Sequence, residues 1–126
     1  MKIVYFSLTG QTRRFIKKLD LPAYEIDSGN PFYELNEPYI LVVPTYDADV
    51  TEVVNDFIEF ETNQKNLLGV AGGGNRNFAD LFIFTAKHIA RDYQVPLLFE
   101  FEFNGTTEDV ENFRKVVNNI ESERAK

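Results

Sequence analysis

The run Ile40-Leu41-Val42-Val43, set between Pro38 and Pro44, has no polar position. A strand with one wet face alternates apolar and polar residues, so a run apolar at every position must be covered on both faces. Further strand candidates lie at residues 3–6, 23–26, 39–44, 67–71 and 96–103, the third containing the opening run. Helix-period segments separate them. Residues 12–19 carry Phe15, Ile16 and Leu19 on one face, and residues 52–60 carry Val53, Val54, Phe57 and Ile58. A third helix is predicted over residues 79–93 and a last one from Thr107 to about Glu123, with Val110, Phe113, Val117 and Ile120 as its stripe. Strands alternating with helices predict an α/β protein, a five-stranded parallel sheet with helices on both faces in a three-layer sandwich.

Caps support two of these helices. Asp49 and Glu52 have the spacing of a capping box, and Thr106-Thr107-Glu108-Asp109 brings acidic groups to the last helix's first turn, where its dipole favours them. The alternation Phe99-Glu100-Phe101-Glu102-Phe103 reads as an edge strand with one wet face, and residues 28–38 as an irregular excursion. Residues 1–126 are expected to form one domain, long enough to bury roughly two thirds of the unfolded surface.

A net charge of −7 opposes nucleic-acid binding, which depends on neutralising phosphates with Lys and Arg. With no Cys, the chain holds no disulfide, thiol nucleophile or iron–sulfur cluster. The opening MKIVYFSLTG is too short for a signal-peptide core and no later apolar run would span a bilayer, so neither membrane nor export is expected, and the cytoplasm is. His88 has no Cys or suitably spaced carboxylates beside it and reads as a helix-surface residue. No metal ligand and no catalytic side chain is assigned.

Ligands of open parallel sheets bind beyond the carboxyl ends of the strands. There, Ser7, Thr9 and Thr12 offer hydroxyls, Gly10 allows close approach, and the following helix presents unpaired N–H groups to an anion. The stretch Ser7-Leu8-Thr9-Gly10-Gln11-Thr12 is thus either a phosphate cradle without Lys or Arg or a hydroxyl-rich capping turn. It lacks the Gly-Lys-Ser/Thr of nucleoside-triphosphate loops and the three spaced glycines of the dinucleotide fingerprint. In Gly72-Gly73-Gly74-Asn75-Arg76-Asn77-Phe78, glycines at a strand end would let backbone lie against a flat ligand, with Asn75 and Asn77 as donors and acceptors. Phe78 would stack on a ring; read alone, it is a core residue. The loop Thr45-Tyr46-Asp47-Ala48-Asp49 adds a Tyr that either flanks a planar group or packs. A receiver-domain reading fails, because the first strand ends in Ser7 and not in an acidic pair. A monophosphate cradle with two loops suited to a flat ring points to flavin mononucleotide (FMN) in a flavodoxin-like fold of strand order 2-1-3-4-5.

The pieces VYFSLTGQTRRFI, LDLPA, EPYILVVPTY, GVAGGGNRNF and FEFNGTTEDVENF together resemble the NrdI family, flavodoxin-like activators of class Ib ribonucleotide reductases. The Gly-Asn-Arg-Asn-aromatic element is the most specific of them. The resemblance implies bound FMN, its phosphate on Ser7, Leu8, Thr9, Gly10, Gln11 and Thr12. Its ring would lie between Thr45, Tyr46, Asp47 and Ala48 on one side and Gly73, Gly74, Asn75, Asn77 and Phe78 on the other. It implies an electron-donor reductase, and as partner the dimetal, radical-bearing small subunit, whose dimanganese centre is oxidised through flavin and oxygen. A small electron-transfer flavodoxin and a flavin-free interaction module remain alternatives. The loop after the third strand departs from the family pattern in having no glycine, and its Asp47 and Asp49 would disfavour an anionic reduced ring.

Overall fold

The computed structural model describes residues 1–46 and 48–125; the side chains of residues 48–51 and 80 are outside that description. The chain runs β1 (Lys2–Tyr5), α1 (Gln11–Leu19), β2 (Ala23–Glu25), β3 (Tyr39–Val43), α2 (Ala48–Ile58), α3 (Asn63–Asn66) and β4 (Leu67–Gly74). A 3₁₀ turn over Arg76–Leu81, α4 (Phe84–Asp92), β5 (Leu97–Glu102) and α5 (Thr107–Arg124) complete it. Among the described residues the strands form one five-stranded sheet of order β2-β1-β3-β4-β5, parallel throughout, as the strand–helix alternation predicts.

Because strand side chains alternate faces, the apolar run of β3 feeds two cores. Tyr39, Leu41 and Val43 pack with Val54, Phe57 and Ile58 of α2 and Ala86 and Ile89 of α4. Ile40 and Val42 pack with Phe15, Ile16 and Leu19 of α1 and Val110, Phe113 and Val117 of α5. Every residue of β3 is buried, which is what a wholly apolar strand requires. In the second core the Phe15 ring stacks on Phe101 at 4.0 Å and on Phe113 at 5.7 Å. Each such ring, fully buried, contributes about 1.5–3 kcal/mol. β5 lies at one edge of the sheet with Phe101 buried and Glu100 exposed, the wet-faced edge that its alternation predicts.

Four local differences from the sequence reading have physical causes. β4 runs on through Gly74, beyond the predicted end at residue 71, since its glycines admit close packing that their low strand propensity conceals. The predicted helix over residues 79–93 is broken: Ala79 (φ 50°, ψ −116°) and Ile83 (φ 50°) leave the helical region, and α4 begins only at Phe84. Asp49 lies within α2, one residue past its start, and not at the capping position that precedes the helix. The short α3 went unread. Its buried Asn63 accepts from the Leu35 amide (3.0 Å) and donates to the Tyr33 and Phe57 carbonyls (2.8 and 2.9 Å), which pins the irregular segment 28–38. At α5 the Thr106 hydroxyl accepts from the Asp109 amide and the Asp109 carboxylate accepts from the Thr106 amide, a full capping box.

Candidate functional site

Strand order reverses between β1 and β3, so the loops leaving their carboxyl ends diverge and open a crevice. A pocket of about 320 Å³ lies there, lined by Thr9, Gln11, Thr12, Pro44, Thr45, Gly73, Gly74, Asn75, Phe78 and Phe103. That volume falls in the roughly 300–1,000 Å³ range of small-molecule sites.

One end of the pocket is the start of α1. Gly10 precedes the helix at φ 94°, a left-handed conformation that L side chains rarely adopt, although a Cβ there would meet nothing within 4 Å. Backbone conformation, not space, requires this glycine. The Ser7 hydroxyl accepts from the Arg13 amide at 3.3 Å, so it serves the helix start and does not line the pocket. Leu8 is half exposed, and neither it nor Gly10 is among the lining residues. Gln11 is held from behind: its side-chain oxygen accepts from Asn104 at 3.2 Å, and Asn104 in turn accepts from Lys18 at 2.6 Å. The Arg13 guanidinium is turned to Glu25, donating at 2.9 and 2.6 Å. These side-chain hydrogen bonds from Arg13 hold the Glu25 carboxyl below its ordinary value. Among the described residues, the pocket lining at this end thus offers hydroxyls, an amide side chain and a helix start, and no cation.

The other walls come from β3, β4 and the residues after β5. The Thr45 hydroxyl donates to the Gly73 carbonyl at 2.8 Å. A Cβ on Gly74 would stand 2.9 Å from that hydroxyl, so only glycine lets Thr45 close this wall. Gly73 is needed on the other face, where a Cβ would stand 2.7 Å from the Phe101 ring. The Asn75 side chain accepts from the Asn77 amide at 2.9 Å and caps the 3₁₀ turn; Asn77 itself does not line the pocket. Phe78 is not a core residue. It is 62% exposed at the pocket, and Phe103 is 52% exposed there.

Of the two readings of Tyr46, the structure supports packing for its side chain. Its ring is buried edge-on against Phe6 at 5.6 Å, its amide donates to the Thr85 hydroxyl, and it does not line the pocket. Burial pushes its hydroxyl well above the usual tyrosine value. Asp47 lies outside the described residues, as does the side chain of Ala48. Sequence reasoning missed Pro44 and Phe103, although both follow the carboxyl ends of strands, where such sites form.

A parallel sheet of this order with its pocket at the switch point defines a flavodoxin-like protein. Among solved structures, a short-chain flavodoxin associated with a non-canonical PDU bacterial microcompartment superposes with a TM-score of 0.65, at 16% identity over 93% of each chain. The regulatory domain of the biofilm regulator CsgD matches with a TM-score of 0.50, at 10% identity over 98% of this chain and 89% of that one. Both likenesses concern the fold alone. In sequence, residues 3–115 match the family described as NrdI flavodoxin-like. Protein NrdI of Bartonella henselae is 42% identical over 114 residues, covering 86% of each chain. The chain belongs to the NrdI flavodoxin-like family. Among the described residues no helix is long and apolar enough to cross a membrane.

Proposed function

We propose that this chain is an FMN-bearing activator of the small, dimetal subunit of a class Ib ribonucleotide reductase, reduced by a separate electron-donor reductase and acting in the cytoplasm. One observation carries the reading: a single pocket joins a hydroxyl-rich helix start to a wall of glycine backbone and exposed aromatic rings. The donor set fits FMN. Thr9, Gln11, Thr12 and the backbone amides of Gln11 and Thr12 at the start of α1 would hold its phosphate, because these two amides have no acceptor inside the helix, whereas that of Arg13 serves Ser7. The backbone of Gly73 and Gly74 would lie along the ring system, with Thr45 fixed beside it by its hydrogen bond to Gly73. Phe78 and Phe103 would cover it and exclude water. When bound, the flavin supplies the electron transfer to oxygen whose product oxidises the partner's metal centre. The chain's own share is to bind, orient and shield.

The test is an absorption spectrum of the purified protein after incubation with excess FMN and desalting. A retained flavin band is expected, together with co-purification of the reductase small subunit. Failure to retain flavin would overturn the reading.

A further inference from the structure

Arg76 stands between two pocket residues, Asn75 and Phe78, yet does not line the pocket itself. It turns to the edge strand instead. Its amide donates to one oxygen of Glu102 at 3.1 Å and its guanidinium to the other at 3.0 Å. The same guanidinium lies 3.6 Å from Glu100 and 4.7 Å from the centre of the Phe82 ring. Phe82 in turn is a ring against which a Cβ on Gly74 would come within 3.1 Å. One residue therefore ties together the start of the 3₁₀ turn, its end, and β5.

The turn needs such a tie. Ala79 and Ile83 hold positive φ, conformations that are uncommon for residues with a side chain and unusual for a β-branched one. A segment so held has less strained alternatives close by, and it persists only where its surroundings over-determine it. The two-point contact with Glu102 fixes both the backbone direction and the side chain of Arg76. A lysine would keep the charge but not the planar face over Phe82 or the fork geometry. Phe103, on the pocket's rim, is fixed to the same frame by its amide, which donates to Gly74 at 3.1 Å.

We propose that Arg76 is a positioning residue for the flavin, its clamp on Glu102 and Phe82 setting where Asn75 and Phe78 stand against the ring. The proposal rests on the FMN reading above and names a determinant of that site. Arg76→Gln, Arg76→Lys, Glu102→Gln and the Arg76→Gln/Glu102→Gln double variant test it. FMN affinity, read by quenching of flavin fluorescence, is expected to fall about tenfold in Arg76→Gln and Glu102→Gln. The double variant should be worse than either single one by less than the sum of the two, since both remove the guanidinium–carboxylate contact while each leaves others in place. Arg76→Lys should rescue only in part. The melting temperature of the flavin-free protein should stay near wild type, because ion pairs this exposed contribute little to stability. Unchanged affinity, simple additivity or full rescue by lysine would overturn the proposal. Should the wild type retain no FMN, amide exchange in the flavin-free protein decides separately. Faster exchange over residues 75–78 in Arg76→Gln supports the clamp, and equal exchange refutes it.

Discussion

Gly72 and Gly74 stand on the same face of β4, two residues apart, and are required for different reasons. A Cβ on Gly72 would stand 2.6 Å from the Ala86 Cβ, so this glycine lets α4 lie close on the sheet. A Cβ on Gly74 would meet the Thr45 hydroxyl at 2.9 Å and so intrude on the pocket wall. Gly72→Ala should therefore overpack the core and cost about 1–3 kcal/mol, with FMN affinity of the folded protein retained. Gly74→Ala should weaken FMN binding beyond any loss of stability. Denaturant unfolding beside flavin titration separates the two, and identical behaviour of the variants would refute the distinction. The same face of one strand thus serves packing at one residue and the site at another.

At the level of elements, legibility followed local pattern and failed where tertiary contact overrode it. The wholly apolar β3, the stripe of α5 and the alternation of β5 name their own environments. Nothing local marks Gly72–Gly74 as strand, because what keeps them extended is pairing with Val43 on one side and Glu100 to Glu102 on the other. The run Leu81-Phe82-Ile83-Phe84 is apolar all round a helix turn, yet the left-handed Ile83 interrupts the helix there, with Leu81 57% exposed and Ile83 fully buried. In the site the loops were legible and the aim of their side chains was not. Phe78 read alone as core is exposed, while Tyr46 is buried. Breaking the predicted helix leaves Ala79 exposed at φ 50°, ψ −116°, a region glycine occupies far more readily. Ala79→Gly should relieve strain of about 1–3 kcal/mol, partly offset by about 0.4–1 kcal/mol of added unfolded-chain entropy. A net gain in urea stability is expected, and a loss would mean that the strain is not there.

Across the whole molecule, both edges of the sheet are tied to the site by an arginine–glutamate pair. Glu25 on β2 holds Arg13 at the start of α1, and Glu102 on β5 holds Arg76 at the start of the 3₁₀ turn. Charged pairs on edge strands also discourage pairing with other chains. Side-chain hydrogen bonding from Arg13 lowers the Glu25 pKa, and hydrogen bonds from the Arg76 amide, then its guanidinium, lower that of Glu102. A carboxyl whose folded pKa is depressed binds its proton more readily in the unfolded chain. Its contribution to stability is therefore complete above the unfolded value, about 4.3, and disappears as pH falls through the lower, folded value. Total stability is a poor readout, because with a net charge of −7 acidification also relieves repulsion across the chain. The difference between wild type and a Glu25→Gln/Glu102→Gln variant removes that background. Measured by thermal unfolding, it should be small, because pairs this exposed contribute little, constant from neutral pH down to the ordinary carboxylate range, and smaller still in stronger acid. Flavin affinity of the wild type should decline over the same window while that of the variant, already weakened, stays level. A wild-type flavin affinity that stays level through this window would mean that neither pair couples its edge of the sheet to the site.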